Sequence, residues 1–434
     1  MSGAFEKTIS SDRASLSARQ FLVHCLRSFL AVEGTPRLNA PIEDVDWDSL
    51  VRLAAFHRVA PLLDHALRNT RPHAAPASVL ADLTAYVRSA SGHSLLLTGE
   101  LLQLLKRFEA QGIPAMPFKG PALAYFLYGD PALRQFDDID IFLHQEDFPA
   151  AKQLLLSLGY QPEFQLLTSR QEKAYLQSRY QDHFALVRGD SRIAVELHWD
   201  IMPGDFPFRP DFKGIWERCE PLSLASATAT TLSPEDLLLF LCVHGARHSW
   251  LRLQWLCDVA RLVSIHATMD WGQVMEQAKT SSGQQMLFLG LFLVNDILGT
   301  PIPRELEQKI QHDPLTERLA GLVKWRIFDG SLIPIIPRHW KKIYFHLQAA
   351  ESVQDRIAYW LRFYLRKLTT PTPKDWCSLS LPDILFPLYY VLRPMRLAGK
   401  YGAMAVNYIY NRCKVSNTTK ERRNSSPEEN DLTR

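Results

Sequence analysis

Two aspartates two residues apart, Asp138 and Asp140, carry the strongest chemical signal in the chain. They lie in the run Asp-Asp-Ile-Asp-Ile-Phe-Leu, where polar and apolar residues alternate as in a half-buried β-strand. Side chains at alternate strand positions point to the same face, so the two carboxylates project together. Like charges repel, and a divalent cation such as Mg²⁺, which prefers oxygen ligands, would relieve that repulsion. The plain structural alternative is a strand end with two solvated acids.

A third acid lies in a similar pattern further along the chain. Residues 183–201 predict a β-hairpin that turns at residues 188–191. In its second strand Glu196 and His198 share one face, and the other face is apolar: Ile193, Val195 and Leu197. An acid between apolar neighbours in a strand is a candidate for a functional carboxylate, and Glu196 is therefore the predicted third acid of the site.

The element before the paired aspartates begins with a tight turn. Ile113–Phe118 is a short apolar run that predicts a strand, and Lys119-Gly120 follows it as a turn. Pro121 then occupies the first turn of a predicted helix, where proline is favoured. Gly129-Asp130-Pro131 marks the end of that helix. The order is thus strand, Lys-Gly turn, helix and acidic strand.

This order resembles the polymerase-β-like nucleotidyltransferases. The pattern KG-PAL-x4-Y-x4-LR-x3-DIDIF is similar to the bacterial family described as uncharacterised nucleotidyltransferase, and the likeness runs from Trp47 to Leu262. The resemblance implies an α+β fold. Its polymerase-β-like nucleotidyltransferase core would be a small mixed sheet with helices, flanked by N- and C-terminal all-α regions.

The resemblance also implies an enzyme and its chemistry. Asp138, Asp140 and Glu196 would be the catalytic residues and would ligate two Mg²⁺ ions, which Mn²⁺ could replace. Glu196 would be a metal ligand or the general base. The reaction would move a nucleoside monophosphate from a nucleoside triphosphate, expected to be ATP, to a hydroxyl of a small molecule, sugar or peptide.

Other residues would contact the nucleotide under this resemblance. Gly120 would let the triphosphate approach the backbone at a helix N-terminus, while Lys119 and Arg134 would add positive charge. His198 is also expected to contact the nucleotide. The wider superfamily usually has serine after the turn glycine, but this chain has Pro121, which lacks a backbone N–H. Lys119 is the expected substitute for that serine.

A further set of polar residues follows the core. The sequence predicts one helix over Ser233–Val263, with Ser233 as its N-cap. His244, His248 and Trp255 fall near one stripe of this helix, and Asp258 follows three residues later. One interpretation is a buried polar network, and the other is a cleft lining in which His248 contacts nucleotide or acceptor.

Composition limits the remaining function classes. The 434 residues are 47% hydrophobic and carry a net charge of +3, so no strong signal for nucleic-acid binding is present. The six cysteines include no C-x-x-C pair, which argues against a zinc ribbon. The N-terminus lacks a signal-peptide pattern, and no run of about 20 apolar residues predicts a transmembrane helix. We expect a cytoplasmic protein.

Five segments are expected from these patterns. They are an N-terminal helical region (1–100), a nucleotidyltransferase core (101–230), a helical domain (231–325), an aromatic and basic segment (326–412) and a disordered tail (413–434). Residues 356–397 could contact a membrane surface or dock on the helical domain. Two alternatives to an active enzyme therefore stay open, a catalytically inactive nucleotide-binding module and a membrane-peripheral assembly module.

Overall fold

The computed structural model describes most of the chain and divides it into two compact units. The first unit comprises residues 1–163 and 179–360, and the second comprises 164–178 and 361–434. The segment boundaries expected from the sequence stay predictions, and the expected disordered tail lies outside the described residues. Those residues are 16–31, 45–70, 75–164, 168–178, 181–189, 193–204, 206–328, 357, 361, 365 and 368–399.

Helices precede the sheet in the first unit. Its described helices before the sheet are α1 (Leu16–Leu30), α2 (Trp47–Phe56), α3 (Ala60–Thr70) and α4 (Ala77–Ala110). Asp46 caps α2 by accepting a hydrogen bond from the Ser49 backbone N–H at 3.0 Å. The chain turns between α2 and α3, where Arg58 has a φ of +57°. The 34 residues of α4 then lead to the first strand.

A five-stranded mixed sheet forms the centre of this unit. Its strands are β1 (Met116–Pro117), β2 (Asp138–Phe142), β3 (Gln161–Pro162), β4 (His183–Arg188) and β5 (Ile193–His198). The spatial order is β1-β2-β5-β4-β3, with β2 and β5 parallel and all other neighbours antiparallel. Helix α5 (Gly120–Tyr128) connects β1 to β2, and α6 (Phe148–Ser157) follows β2. The small mixed sheet expected from the sequence is confirmed.

The chain continues into a mostly helical region. Its described elements are α7 (Phe212–Glu217), the hairpin of β6 (Glu220–Leu224) and β7 (Ala227–Thr231), α8 (Pro234–Arg247), α9 (Leu253–Ile265), α10 (Trp271–Thr280), α11 (Gln284–Leu298), α12 (Arg304–Gln311) and α13 (Pro314–Phe328). Ser233 caps α8 as predicted, because its hydroxyl accepts from the Asp236 backbone N–H at 3.2 Å. The hairpin meets the main sheet where Thr231 Oγ1 donates to the Pro117 carbonyl at 2.8 Å.

The second unit contains short helices. Its described elements are helices over Ser169–Leu176, Pro373–Ser378 and 389–399, and a 3₁₀ helix over Asp383–Leu388. Arg170 Nη1 donates to the Asp383 carbonyl at 3.0 Å, which joins its first helix to the 3₁₀ turn. Among the residues described in either unit, none of the helices is both long enough and apolar enough to cross a membrane.

Candidate active site

The sheet register places the predicted acids on one face of two parallel strands. Asp140 on β2 pairs with Glu196 on β5, and Phe142 pairs with His198. Paired residues project to the same side of a sheet, so Asp138, Asp140, Glu196 and His198 share one face. The opposite face is apolar and fully buried: Ile139, Ile141, Val195 and Leu197. The alternation predicted for both strands is therefore confirmed.

Hydrogen bonds join these side chains into one cluster. Lys119 Nζ donates to Asp140 Oδ1 at 2.7 Å. His198 Nε2 lies 3.0 Å from the same Asp140 oxygen and 3.1 Å from Glu196 Oε2. Because carboxylate oxygens accept hydrogen bonds, Nε2 is the protonated nitrogen of the His198 ring. Asp140 thus lies between an ammonium and an imidazole, and it is only 3% exposed.

The two aspartates differ in ionisation because their partners differ. Burial opposes ionisation of Asp140, but the Lys119 charge and the His198 hydrogen bond outweigh it and lower the pKa of Asp140 below its usual range. Burial and the negative charges of Asp140 and Glu196 raise the pKa of Asp138 to about 7, and the Lys119 charge offsets only part of this shift. A further cation near Asp138 would stabilise its charged form.

The donor atoms of the cluster fit a divalent cation. One ligand atom from each of Asp140, Glu196 and His198 lies within 4.8 Å of the other two. Asp182, His183 and His198 form a second group that meets the same distance limit. Carboxylate oxygens suit Mg²⁺ and Mn²⁺, and an imidazole nitrogen suits transition metals. The carboxylates of the first group could therefore hold a divalent cation, and His198 could join them only without the Nε2 proton that it carries in this structure.

The Lys119–Gly120 turn lies directly against the acidic strand. Gly120 has a φ of +51°, and a Cβ at this position would come within 2.6 Å of the Asp138 carbonyl oxygen. Any larger residue would push the turn away from β2. The structure thus assigns Gly120 a packing role, separate from the predicted contact with phosphate. Pro121 lies in the first turn of α5, as predicted.

Arg134 contacts a different partner from the acids on the sheet. Its guanidinium donates to both oxygens of Asp258 at 3.1 Å, and Tyr128 Oη donates to Asp258 Oδ1 at the same distance. Asp258 is fully buried and Arg134 is 9% exposed. This pair ties the segment before β2 to α9, and the predicted contact of Arg134 with phosphate stays a prediction.

The predicted stripe of histidines lies at the end of α8, where His244 is in the helix and His248 is its C-cap, and the predicted long helix is interrupted there. Helix α8 ends at Arg247 and α9 begins at Leu253. The rings of His244 and His248 are 4.6 Å apart, and both approach Trp255 of α9, at 5.7 and 5.2 Å. The three predicted rings therefore meet, whereas Asp258 belongs to the buried pair with Arg134.

Sequence reasoning missed His183, which the sheet register adds to the site. His183 on β4 pairs with His198, and its Nε2 lies 3.7 Å from Glu196 Oε1. Its Nδ1 is 2.8 Å from Asp182 Oδ1, and Arg247 Nη1 donates to the other Asp182 oxygen at 3.3 Å. The hairpin was predicted, but its turn at residues 188–191 was wrong, because β4 continues through Arg188, which pairs with Ile193. This register, which the sequence pattern did not specify, brings His183 opposite His198.

Comparisons with known proteins agree with the resemblance noted from the motif. No match was found among curated proteins or among solved structures. A family model described as uncharacterised nucleotidyltransferase matches residues 43–299 and includes the acidic strand, the histidine strands and α8. Since this match covers more than half of the chain, the protein belongs to that nucleotidyltransferase family.

Proposed function

We propose that this protein is a metal-dependent nucleotidyltransferase with a polymerase-β-like core. It moves a nucleoside monophosphate from ATP to a hydroxyl of a small molecule, sugar or peptide. The observation that carries this proposal is the position of Asp138, Asp140 and Glu196 on one sheet face, beside the Lys119–Gly120 turn. Membership of the family supports the same reaction class.

The three acids are the groups that would hold the metal ions. Asp138, Asp140 and Glu196 would bind two divalent cations, Mg²⁺ or Mn²⁺. Of these three, Asp140 and Glu196 have ligand atoms within 4.8 Å of each other and of a His198 nitrogen. Bound there, the cations would neutralise phosphate charge and make the acceptor hydroxyl a better nucleophile. The raised pKa of Asp138, which burial and the neighbouring acids cause, supports this assignment, because a bound cation stabilises the charged carboxylate.

The triphosphate would bind at the start of α5. The positive end of a helix dipole attracts anions, and Lys119 immediately precedes the first residue of this helix. The Lys119 ammonium is bound to Asp140 in this structure. If Asp140 held a divalent cation, the Lys119 ammonium would be free to bind a phosphate oxygen instead. Lys119 thereby supplies the contact that Pro121 cannot make, since proline has no N–H.

The chemical step is an in-line displacement at the α-phosphorus. The acceptor oxygen forms a bond to that phosphorus, while the bond to the oxygen shared with the β-phosphate breaks and pyrophosphate leaves. Glu196 accepts the proton of the acceptor hydroxyl. Burial opposes ionisation of Glu196, but the His198 hydrogen bond outweighs it and lowers its pKa, so the carboxylate is available as a base. His198 and His183 orient the two Glu196 oxygens.

Transfer is tested with matched aspartate variants. Purified protein receives each nucleoside triphosphate, Mg²⁺ or Mn²⁺ and a metabolite pool, and pyrophosphate release and acceptor mass are measured. We expect wild type to release pyrophosphate and Asp140→Asn to lose this activity. Asp137→Asn is the control, because the Asp137 side chain is 64% exposed and contacts Arg58. Near-normal turnover in Asp140→Asn would refute the metal assignment, and triphosphate binding without any pyrophosphate release would favour the inactive nucleotide-binding module.

A further inference from the structure

Four aromatic side chains form a continuous cluster along α8 and the start of α9. Phe240 and His244 have ring centroids 5.6 Å apart, and His244 and His248 are 4.6 Å apart. Trp255 closes the set, at 5.7 Å from His244 and 5.2 Å from His248. We call Phe240, His244, His248 and Trp255 the aromatic cluster. Its rings are close enough to act as one surface.

Contacts at both ends of the stretch from Phe240 to Arg247 show that this part of α8 faces the sheet. At one end the Phe240 ring is 5.4 Å from Phe118 and 5.9 Å from Lys119 Nζ. At the other end Arg247, which lies one turn beyond His244, donates to Asp182 beside β4. Residues three and four apart share a helix face, so His244 lies between these two contacts. One aromatic ring, that of Phe240, therefore separates Lys119, the proposed phosphate contact, from His244.

The cluster is held in place by the turn between the two helices. Ser249 and Trp250 both have positive φ angles, +53° and +52°, which non-glycine residues rarely adopt. The buried Trp250 ring fills the space beside Gly245, where a Cβ would lie 2.5 Å from the ring. The Leu253 backbone N–H donates to His57 Nδ1 at 3.3 Å and anchors the start of α9. The positions of His248 and Trp255 are thus fixed by packing.

Exposure distinguishes three members of the cluster from their surroundings, whereas the fourth member, Phe240, is buried. Along α8, Leu241, Cys242 and Val243 are buried, whereas His244 and His248 are partly exposed, and so is Trp255 on α9. Partly open rings near the proposed phosphate-binding turn can take the flat face of a base. Burial lowers the pKa of His244, and the neighbouring His248 and the Lys119 ammonium act in the same direction, so the His244 ring is neutral and suited to stacking.

We propose that His244, His248 and Trp255 bind the nucleobase of the triphosphate by stacking. This inference rests on the proposed function, since it places the base relative to the Lys119 phosphate contact. Stacking depends on the area of the ring face, so purine triphosphates bind more tightly than pyrimidine triphosphates, with ATP and GTP close to each other. A ligand that has phosphates but lacks a base does not use the cluster.

Calorimetric titration of the full chain with Mg²⁺ and ATP, UTP or inorganic tripolyphosphate tests this assignment. Trp255→Leu and His248→Ala should each weaken ATP binding by roughly tenfold, with tripolyphosphate affinity unchanged. Trp255→Phe keeps a stacking ring and should stay within about threefold of wild type. Trp271→Leu is the control, because this half-buried tryptophan lies on α10, outside the cluster. Melting temperatures are recorded for all variants.

The outcomes separate the two proposals. If Trp255→Leu and His248→Ala bind ATP as wild type does, or lose ATP and tripolyphosphate affinity equally, the stacking assignment is overturned while phosphate binding stands. If wild type binds UTP as tightly as ATP, the predicted purine preference is wrong, and the cluster does not discriminate between bases by the area of their rings. If wild type binds neither ATP nor tripolyphosphate, the proposed function fails and the stacking assignment fails with it.

Discussion

Removal of the Lys119 ammonium should change metal binding and nucleotide binding in opposite directions. In this structure the ammonium lies 2.7 Å from a carboxylate oxygen of Asp140, which is one of the proposed metal ligands. A metal ion must therefore compete with an internal cation for Asp140. We expect Lys119→Met to bind Mg²⁺ or Mn²⁺ more tightly than wild type in the absence of nucleotide, and to bind ATP more weakly.

The stability of the variant follows from the same contact. Two unit charges 2.7 Å apart attract by roughly 6 kcal/mol at an effective dielectric constant of about 20, and desolvation offsets much of this. Removing one partner of a buried pair costs about 3–5 kcal/mol. The Lys119 side chain is 20% exposed and His198 still contacts Asp140, so we expect a loss of about 2–3 kcal/mol without metal. Metal at 100 times its Kd should restore about 2.7 kcal/mol.

Urea denaturation across a series of Mg²⁺ concentrations measures both effects. Metal should raise the unfolding free energy of Lys119→Met more than that of wild type, since wild type must first displace its own ammonium. Lys324→Met is the control, because Lys324 pairs with Asp296 at the surface and each side chain is 40% exposed. That variant should change stability by less than about 1 kcal/mol. Equal metal stabilisation of wild type and Lys119→Met would refute competition for Asp140.

Three further variants test other parts of the structure. Asp138→Asn should abolish transfer and leave the metal-free melting temperature unchanged or higher, because it removes one of several mutually repelling carboxylates. His183→Gln should lower turnover by about 10- to 100-fold with ATP affinity within about twofold, which separates orientation of Glu196 from nucleotide binding. Burial lowers the pKa of His57 to about 3, so the unfolded chain takes up the extra proton below pH 6.5 and stability falls. Urea titrations between pH 6 and 4 measure how the unfolding free energy falls with pH. The slope for His57→Gln should be smaller than that for wild type, and the difference between the two slopes should be about 1.4 kcal/mol per pH unit.

The acidic face could be predicted from the sequence because it depends on a local rule. Strand side chains alternate with a period of two, so Asp138 and Asp140 share a face whatever the rest of the fold does. The same rule put Glu196 and His198 together on the second strand. The partners of these residues depend on register and on distant chain segments. Arg134 binds Asp258, which lies 124 residues further along the chain, and no local pattern marks that pair.

The break between α8 and α9 has a physical reason that no local sequence signal shows. Residues 248–252 contain neither glycine nor proline, so a helical pattern runs through them. The fully buried Trp250 ring packs against Gly245 and Gly290, where added Cβ atoms would lie 2.5 and 3.2 Å from ring atoms. Tertiary packing of one large ring thus overrides local helix propensity. The same packing fixes His248 beside Trp255, so the interruption also shapes the proposed base-stacking surface.

Pro121, which stands where the wider superfamily usually has serine, is related to the contact between Lys119 and Asp140. A proline in the first helical turn removes one backbone N–H that could bind phosphate. The residue two positions earlier carries an ammonium, which reaches Asp140 across the turn. A backbone N–H is fixed in place, whereas a lysine side chain can move between a carboxylate and a phosphate as metal and nucleotide bind. We therefore expect metal and ATP to bind cooperatively in wild type, and Lys119→Met to lose that cooperativity. ATP titrations at low and saturating Mn²⁺ measure this cooperativity as the change in ATP affinity that the metal causes. An equal change in wild type and Lys119→Met would show that Lys119 does not link metal binding to ATP binding.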